Sequence, residues 1–317
     1  KKFNINKILL ALLSSLVLLS PYFRTSSYWG LEENYGLILL LLSSYLILKY
    51  KNFRKDFLTL NKNLFFIFLI CFSSSLTFYF DQKLIIIPLI CFFFILKNFN
   101  KKEIIFSILI YIVLSLPYLY FISIWGALIP TTASARSFTF NLENIGYSLS
   151  IIAFYLFPFI FIKKNILIDI KKIFLNRINI FFLFLIVFYL IYFYINFEFF
   201  FNKNDFGNGV VHKITNLVFE KMAIKKIFFV FFIFLSSFYI LLLFPLFHDR
   251  LIILYLATFG LIVTPVYQEY FDPLIFIMMF TFFKEKIEIN YKLVFILLVY
   301  FSFFLICTKY YYLKILS

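Results

Sequence analysis

Long apolar stretches fill the sequence, and short charged gaps separate them. A helix needs about 20 apolar residues to cross a bilayer upright, with a lower limit near 17. Roughly eleven stretches come near that length. Several of them are shorter than a full span, which fits shortened or broken helices. Their approximate bounds are 7–23, 35–50, 63–80, 84–97, 103–124, 146–162, 178–197, 227–247, 251–267, 272–284 and 292–310. The pattern predicts an all-α, polytopic integral membrane bundle that forms one transmembrane domain over 1–317.

Composition supports a membrane protein and argues against a nucleic-acid-binding one. Hydrophobic residues make up 64% of the 317 positions, whereas a soluble domain has roughly 45–50%. The net charge of +15 is explained by Lys and Arg that flank spans on the cytoplasmic side. The aromatic residues that accompany this charge lie inside the spans, so no nucleic acid partner is expected.

The distribution of basic residues predicts the orientation. With the first residues inside, alternate gaps on the inner face carry 20 of the 30 Lys and Arg residues, and the outer gaps carry 10. The positive-inside rule therefore predicts a cytoplasmic N-terminal end and an external C-terminal end. The predicted location is a bacterial inner membrane, or the endoplasmic reticulum membrane if the source is eukaryotic. Lys225 and Lys226 are the main exceptions to the rule.

The inner gaps are simply basic, whereas the outer gaps are chemically varied. No nucleotide-binding glycine loop, nucleophile elbow or metal-binding His pair is present. The three cysteines all fall in apolar runs and lack metal-ligand spacing. Loops on a rigid helical scaffold commonly carry function, so candidate site residues are sought in the outer gaps.

The first outer gap combines a cation with two acids. Arg24 is followed by an aromatic cluster and then by Glu32 and Glu33, directly before a span. One interpretation is a helix start, because acids favourably meet the dipole there. The other is a carboxylate at a membrane-embedded pocket that holds a metal ion or orients a hydroxyl group.

The second outer gap is a charged triplet, Asp81-Gln82-Lys83. Ionisable groups near membrane depth are costly and usually have a partner or a function. A tight polar hairpin in which Asp81 pairs with Lys83 explains the triplet equally well.

The third and fourth outer gaps supply further cations. Arg136 lies among hydroxyl residues and suits an anionic headgroup, because guanidinium binds phosphate in bidentate fashion. A solvated loop is the alternative. His212 and Lys213 follow a glycine-rich segment, and a lone His in such a place is more often a loop residue than a base.

The fifth outer gap repeats the pattern of aromatic and acidic residues beside a span. Glu269, Tyr270 and Asp272 lie there, and Pro273 follows. Asp272 as the N-cap of a helix that starts with Pro273 is the structural interpretation.

Taken in order, these segments resemble the GT-C class of multispanning glycosyltransferases. The closest similarity is to the dolichyl-phosphoglucose α-1,2-glucosyltransferase family and its bacterial relatives. The segments that carry the resemblance are Trp29–Asn34, Phe80–Ile86, Ser134–Ser137, Asp205–Lys213 and Glu269–Pro273. Acids stand at positions 81 and 269, where that family has basic residues.

The resemblance implies inverting sugar transfer on the non-cytoplasmic face. The donor would be a polyprenyl- or dolichyl-phosphate sugar, and the acceptor a glycan, a lipid or a protein. Glu33, Glu32 and Asp81 would be the catalytic carboxylates, with Gln82, Glu269, Tyr270 and Asp272 beside them. The residues that would bind the donor phosphate are Arg24, Lys83, Arg136, His212 and Lys213. No organic cofactor is implied, and a divalent metal ion is left open.

Two further expectations follow. The family has its main acidic motif in the first large external loop, between its first two spans, and no segment of this sequence corresponds to that motif. The first residues are Lys1-Lys2 without an initiator Met. About two spans are therefore expected upstream.

The alternative function is a lipid-linked glycan flippase or polymerase. Such a protein should place charged residues along a central cavity, whereas the acids here gather at the outer ends of the spans.

Overall fold

The computed structural model describes residues 7–20, 23, 33–53, 60–126, 141–163, 165–201, 209–262, 266–284 and 289–316. Every regular element in these ranges is a helix, which confirms the all-α prediction for them. The α-helices are α1 (Lys7–Ser15), α2 (Glu33–Phe53), α3 (Leu60–Phe80), α4 (Ile86–Asn98), α5 (Lys101–Trp125), α6 (Asn144–Leu156), α7 (Ile166–Leu175), α8 (Arg177–Phe201), α9 (Gly209–Val218), α10 (Met222–Leu243), α11 (Phe247–Ala257), α12 (Phe259–Ile262), α13 (Leu274–Thr281) and α14 (Tyr291–Leu316). Short 3-10 helices lie at Leu16–Leu19, Gln82–Ile85, Phe157–Ile162 and Gln268–Tyr270.

Six helical segments in the described part of the chain are long and apolar enough to cross a membrane. They are Asn63–Phe80, Lys101–Trp125, Asn144–Phe161, Arg177–Asn196, Met222–Leu243 and Tyr291–Tyr310. A shorter apolar segment lies at Asn34–Tyr50. These segments are what an integral membrane protein requires.

The predicted count of about eleven spans is not confirmed, because several apolar stretches form short helices. α4 has 13 residues, α11 has 11 and α13 has 8. At a rise of 1.5 Å per residue, an 8-residue helix extends only about 12 Å. The stretch 251–267 is divided between α11 and α12, with Thr258 as the residue between them.

The chain divides into two compact units. We call Thr25–Arg136 the inserted unit, and Lys1–Arg24 together with Ser137–Ser317 the split unit. A single domain over 1–317 stays a prediction.

In the inserted unit, α3 packs against α2, α4 and α5. Close approach is possible because small residues face one another, as is common between membrane helices. A Cβ atom added at Gly36 would lie 3.1 Å from the Leu84 side chain. The Ser43 hydroxyl donates to Ser73 Oγ at 3.1 Å across the interface between α2 and α3.

In the split unit, α6 packs against α9, α10, α11 and α12. Gly260 of α12 has no room for a side chain, since an added Cβ would lie 2.6 Å from the Asn144 carbonyl oxygen. α14 packs against the 3-10 helices Leu16–Leu19 and Phe157–Ile162. The N-terminal end of α6 is thus surrounded by several helices, and the polar residues described next gather there.

Candidate functional site

A buried carboxylate lies immediately before α6. The side chain of Glu143 is 5% exposed, and its Oε1 accepts a hydrogen bond from the Tyr192 hydroxyl at 2.8 Å. Neighbouring Tyr189 of α8 accepts from the Gly146 N–H at 2.6 Å and reaches the Leu142 and Glu143 carbonyl oxygens at 3.1 Å. Two tyrosines of α8 therefore hold this turn in place.

Gly146 explains why α8 can approach the turn so closely. A Cβ added there would lie 2.9 Å from the Tyr189 hydroxyl oxygen and 2.7 Å from Ile233 Cδ1. Both distances are shorter than ordinary van der Waals contact, so any side chain would push α8 or α10 away.

His212 lies on α9, with its ring packed against the aromatic residues of α6 and α10. It is 1% exposed. Its ring meets Tyr147 edge-on with centroids 5.5 Å apart, and Phe229 likewise at 6.2 Å. The expectation that a lone His in this gap is a loop residue is wrong, because residues 209–218 form a helix that packs on α6.

Tyr147 joins the carboxylate and the imidazole. It is one helical turn beyond Glu143 and makes the edge contact with His212. Its hydroxyl is buried and has no hydrogen-bond partner among the described residues. Buried hydroxyl groups are normally paired, so an unpaired one marks a position where a ligand or water belongs. We call Glu143, Tyr147, Tyr192 and His212 the α6 polar cluster.

Next to this cluster is a cavity of about 410 Å³ between α9 and α14. Its lining residues are Phe154, Val210, Lys213, Ile214, Leu217, Gln268, Tyr300, Phe303, Phe304, Cys307 and Thr308. Most of this wall is apolar or aromatic, and Lys213 is the one charged residue among its described lining residues. Burial lowers the pKa of Lys213 below its ordinary value.

His212 and Lys213 lie on different faces of α9. Successive residues of a helix point about 100° apart, and here His212 faces α6 while Lys213 faces the cavity. A single helix, roughly 10 Å across, therefore connects the α6 polar cluster with the cavity.

The fifth predicted segment is divided between surface and interior. Glu269 is exposed, Tyr270 is buried, and Asp272 is 6% exposed. Burial raises the pKa of Asp272 to about 7, and the nearby hydroxyl groups of Ser20 and Tyr155 lower it in part. α13 begins at Leu274 with Pro273 as its N-cap and has no side-chain cap, so Asp272 is not the cap that the sequence suggested.

In the inserted unit, the structural interpretation of the charged triplet is confirmed. Lys83 Nζ lies 3.2 Å from Asp81 Oδ2. Asp81 is also the N-cap of the 3-10 helix Gln82–Ile85, and its Oδ1 accepts from the Lys83 N–H at 3.1 Å. Gln82 belongs to this helix, and its side chain is outside the described part of the structure.

The remaining predicted residues lie outside the described ranges or at their edge. Arg24, Glu32 and Arg136 are not among the described residues, and Glu33 begins α2 without a described side chain. Their proposed roles stay predictions.

Sequence reasoning missed Glu143, Tyr147 and Tyr192. Glu143 has the same setting as Glu33, an acid directly before an apolar helix, and that was the available signal. The two α8 tyrosines carry no local signal, because more than forty residues separate them from the turn that they hold.

The inserted unit contains a second, more open cavity of about 510 Å³ between α3, α4 and α5. Its wall includes Tyr79, Tyr111 and Tyr118. Within the described residues, no three His, Cys, Asp or Glu side chains come together as metal ligands would.

The chain matches no family model, no curated protein and no solved structure.

Proposed function

We propose that this protein is a membrane glycosyltransferase that moves a sugar from a polyprenyl-phosphate donor to an acceptor hydroxyl with inversion. The observation that carries the proposal is the apolar cavity with Lys213 in its wall, one helix away from the α6 polar cluster. The resemblance of the outer gaps to GT-C enzymes supports the same reaction class.

The cavity suits the donor's lipid part. Ligand pockets are typically about 300–1,000 Å³ and mostly apolar, with a few placed polar groups, and this one has about 410 Å³. Its aromatic wall from α14 offers an isoprenoid chain a surface free of charged groups. Part of the cavity wall comes from α14, which contains a segment long and apolar enough to cross a membrane.

Lys213 suits the donor's phosphate. An ammonium group binds phosphate as a point charge, and burial of an ammonium group away from water is unfavourable. The lowered pKa of Lys213 reflects the cost of burial. A phosphate beside it would favour the charged form and raise the pKa.

A general base must lie within hydrogen-bond reach of the proton that it takes, and Glu143 does not line the cavity. The GT-C resemblance assigns the catalytic carboxylates to the outer gaps instead. In the proposed step the acceptor hydroxyl transfers its proton to such a carboxylate while its oxygen bonds to the anomeric carbon. The bond from that carbon to the phosphate oxygen breaks, and the polyprenyl phosphate leaves with the added negative charge. Lys213 offsets this charge, and such electrostatic stabilisation of a leaving group is a major contribution to catalysis.

A lipid-linked glycan flippase is the second candidate, because an apolar cavity with one lysine would hold the same lipid without transferring its sugar. The resemblance of the outer gaps to GT-C enzymes favours the transferase, since transport does not require a catalytic carboxylate.

The test is sugar transfer by the full-length encoded protein in lipid nanodiscs. Polyprenyl-phosphate hexoses with a radiolabelled sugar are supplied, and both label transfer and release of polyprenyl phosphate are measured. Glu33→Gln should lower the rate by roughly 10²–10⁴-fold, as expected for loss of a catalytic carboxylate. Lys213→Gln should lower it by roughly 10–100-fold.

Lys221→Gln is the matched control, because Lys221 is exposed and does not line the cavity. It should retain the wild-type rate. Absence of transfer by the wild type from every donor would contradict the proposal, as would equal rates for the wild type, Glu33→Gln and Lys213→Gln.

A further inference from the structure

Helix α7 is a short helix between two membrane-spanning segments. The span Asn144–Phe161 ends shortly before it, and Arg177 begins the next span two residues after its end. If these two segments cross a membrane, their facing ends meet the same surface, and α7 between them lies close to that surface.

One face of α7 is anchored in the split unit. Ile173 is buried in a cluster with Leu241 and Leu242 of α10, and Ile166 and Ile170 pack against the same cluster. These three isoleucines follow helical spacing, so they form one continuous stripe. The docked stripe fixes which residues point away from the protein.

The outward face is strongly apolar. Leu167 is 82% exposed and Leu175 72%, and Ile168 and Phe174 are also exposed. Four large apolar side chains on ten residues would be unfavourable in water. They are favourable when a helix lies in the boundary between headgroups and acyl chains.

Basic residues interleave with these apolar ones. Lys171 lies one turn from both Leu167 and Leu175, and Lys172 lies one turn from Ile168. Lysine side chains can extend along apolar surface and place the ammonium group in the polar layer. This arrangement suits a helix whose apolar side chains enter the membrane while its ammonium groups meet headgroups.

The local charge is positive. The segment 163–177 contains Lys163, Lys164, Lys171, Lys172 and Arg177 against the single acid Asp169. Asp169 lies 3.7 Å from Lys163 Nζ and 3.6 Å from Lys172 Nζ, so it offsets only part of this charge. A surface of this sign attracts anionic lipids.

We propose that α7 is an interfacial helix that binds anionic phospholipids. Its outward apolar residues enter the acyl boundary, and Lys171 and Lys172 contact the phosphate-bearing headgroups. The proposal concerns a lipid surface and is independent of sugar transfer.

A single-tryptophan experiment on the full chain tests this inference. Both native tryptophans are replaced by Trp29→Phe and Trp125→Phe, and Leu167→Trp adds a reporter on the outward face. The protein is placed in phosphatidylcholine nanodiscs that contain either brominated phosphatidylglycerol or brominated phosphatidylcholine at equal mole fraction. Fluorescence should be quenched by both lipids, and more strongly by the phosphatidylglycerol.

Charge variants identify the lysines responsible. Lys171→Gln and Lys172→Gln should each reduce the preference for phosphatidylglycerol by roughly fivefold, since each such lysine contributes about that factor near an anionic surface. Lys101→Gln with Lys102→Gln is the matched control, because these are also adjacent exposed lysines, at the start of α5. The control should keep the full preference.

Three outcomes would overturn the proposal. Absence of quenching by either lipid would place α7 away from the membrane, and equal quenching by both would remove the anionic preference. Blue-shifted emission that depends on protein concentration, without lipid quenching, would indicate that a second copy covers the face. Leu175→Trp provides a second reporter if Leu167→Trp does not yield monodisperse protein.

Discussion

The Arg250 guanidinium donates a hydrogen bond from Nη1 to Asn179 Oδ1 at 2.6 Å. Arg250 lies near the start of α11, and Asn179 lies near the start of α8. The same guanidinium donates to the carbonyl oxygens of Phe244 at 2.6 Å and Leu241 at 3.3 Å, at the C-terminal end of α10. One buried cation therefore joins three helix ends and satisfies carbonyl groups that a helix terminus leaves unpaired.

Replacing Arg250 should destabilise the split unit. Arg250→Gln removes a charged donor from three acceptors, and we expect the free energy of unfolding to fall by about 2–4 kcal/mol. Arg250→Lys should recover only part of this loss, because an ammonium cannot reproduce the planar fork of the guanidinium. Thermal unfolding in detergent measures both. The exposed Arg177→Gln is the control, and an equal loss in it would refute the argument.

A second polar junction stabilises the inserted unit. Glu103 Oε1 accepts from Asn63 Nδ2 of α3 at 2.9 Å, and Oε2 accepts from the Asn100 N–H at 2.9 Å in a capping box. Glu103→Ala leaves both donors without this acceptor and should cost about 2–4 kcal/mol of unfolding free energy. The exposed Glu220→Ala should change the unfolding midpoint little. Similar midpoints for the two variants would show that the junction is not stabilising.

Asp272 should make stability depend on pH. Its pKa is about 7 in the folded protein against an ordinary value of 3.8. Between these values the unfolded chain releases the proton while the folded protein keeps it, so stability falls as pH rises from about 4 to 7. The difference amounts to a cost on the order of 4 kcal/mol above pH 7.

Asp272→Asn removes this titration and is therefore the informative comparison. The stability difference between the variant and the wild type should grow in favour of Asn as pH rises from 4 to 7, and then level off. The measurement is the thermal midpoint in detergent at several pH values. A difference that does not change over this range would contradict the raised pKa.

Much of the fold was predictable because helix formation and membrane compatibility are local properties of an apolar run. The number of spans was not, because a helix break at Thr258 divides a stretch that hydropathy alone joins. Two lysines depart from the charge rule. Lys225 Nζ lies 3.2 Å from Asn216 Oδ1, and Lys226 Nζ lies 4.1 Å from the centroid of the Tyr194 ring. Their positions depend on tertiary partners.

The candidate site was predictable only in part. The sequence groups His212 and Lys213 as cations of one gap. In the structure they lie on one helix, where His212 faces Tyr147 and Lys213 faces the cavity. Glu143 escaped notice because its significance depends on Tyr192, which is distant in sequence. The Asp81 and Lys83 pair was one of two interpretations that the sequence left open, and the structure confirms it, since residues two apart can form a local contact.

The central claim is that the cavity between α9 and α14 binds a polyprenyl phosphate through Lys213. The most direct measurement is photolabelling of the full-length protein in nanodiscs with a polyprenyl phosphate that carries a photoreactive group near the phosphate. Labelled peptides are mapped by mass spectrometry, with unlabelled polyprenyl phosphate as competitor. We predict labelling within α9 or α14 that the competitor abolishes and that Lys213→Gln reduces by roughly 10-fold or more. Competable labelling confined to the open cavity of the inserted unit, or labelling that Lys213→Gln leaves unchanged, would contradict it.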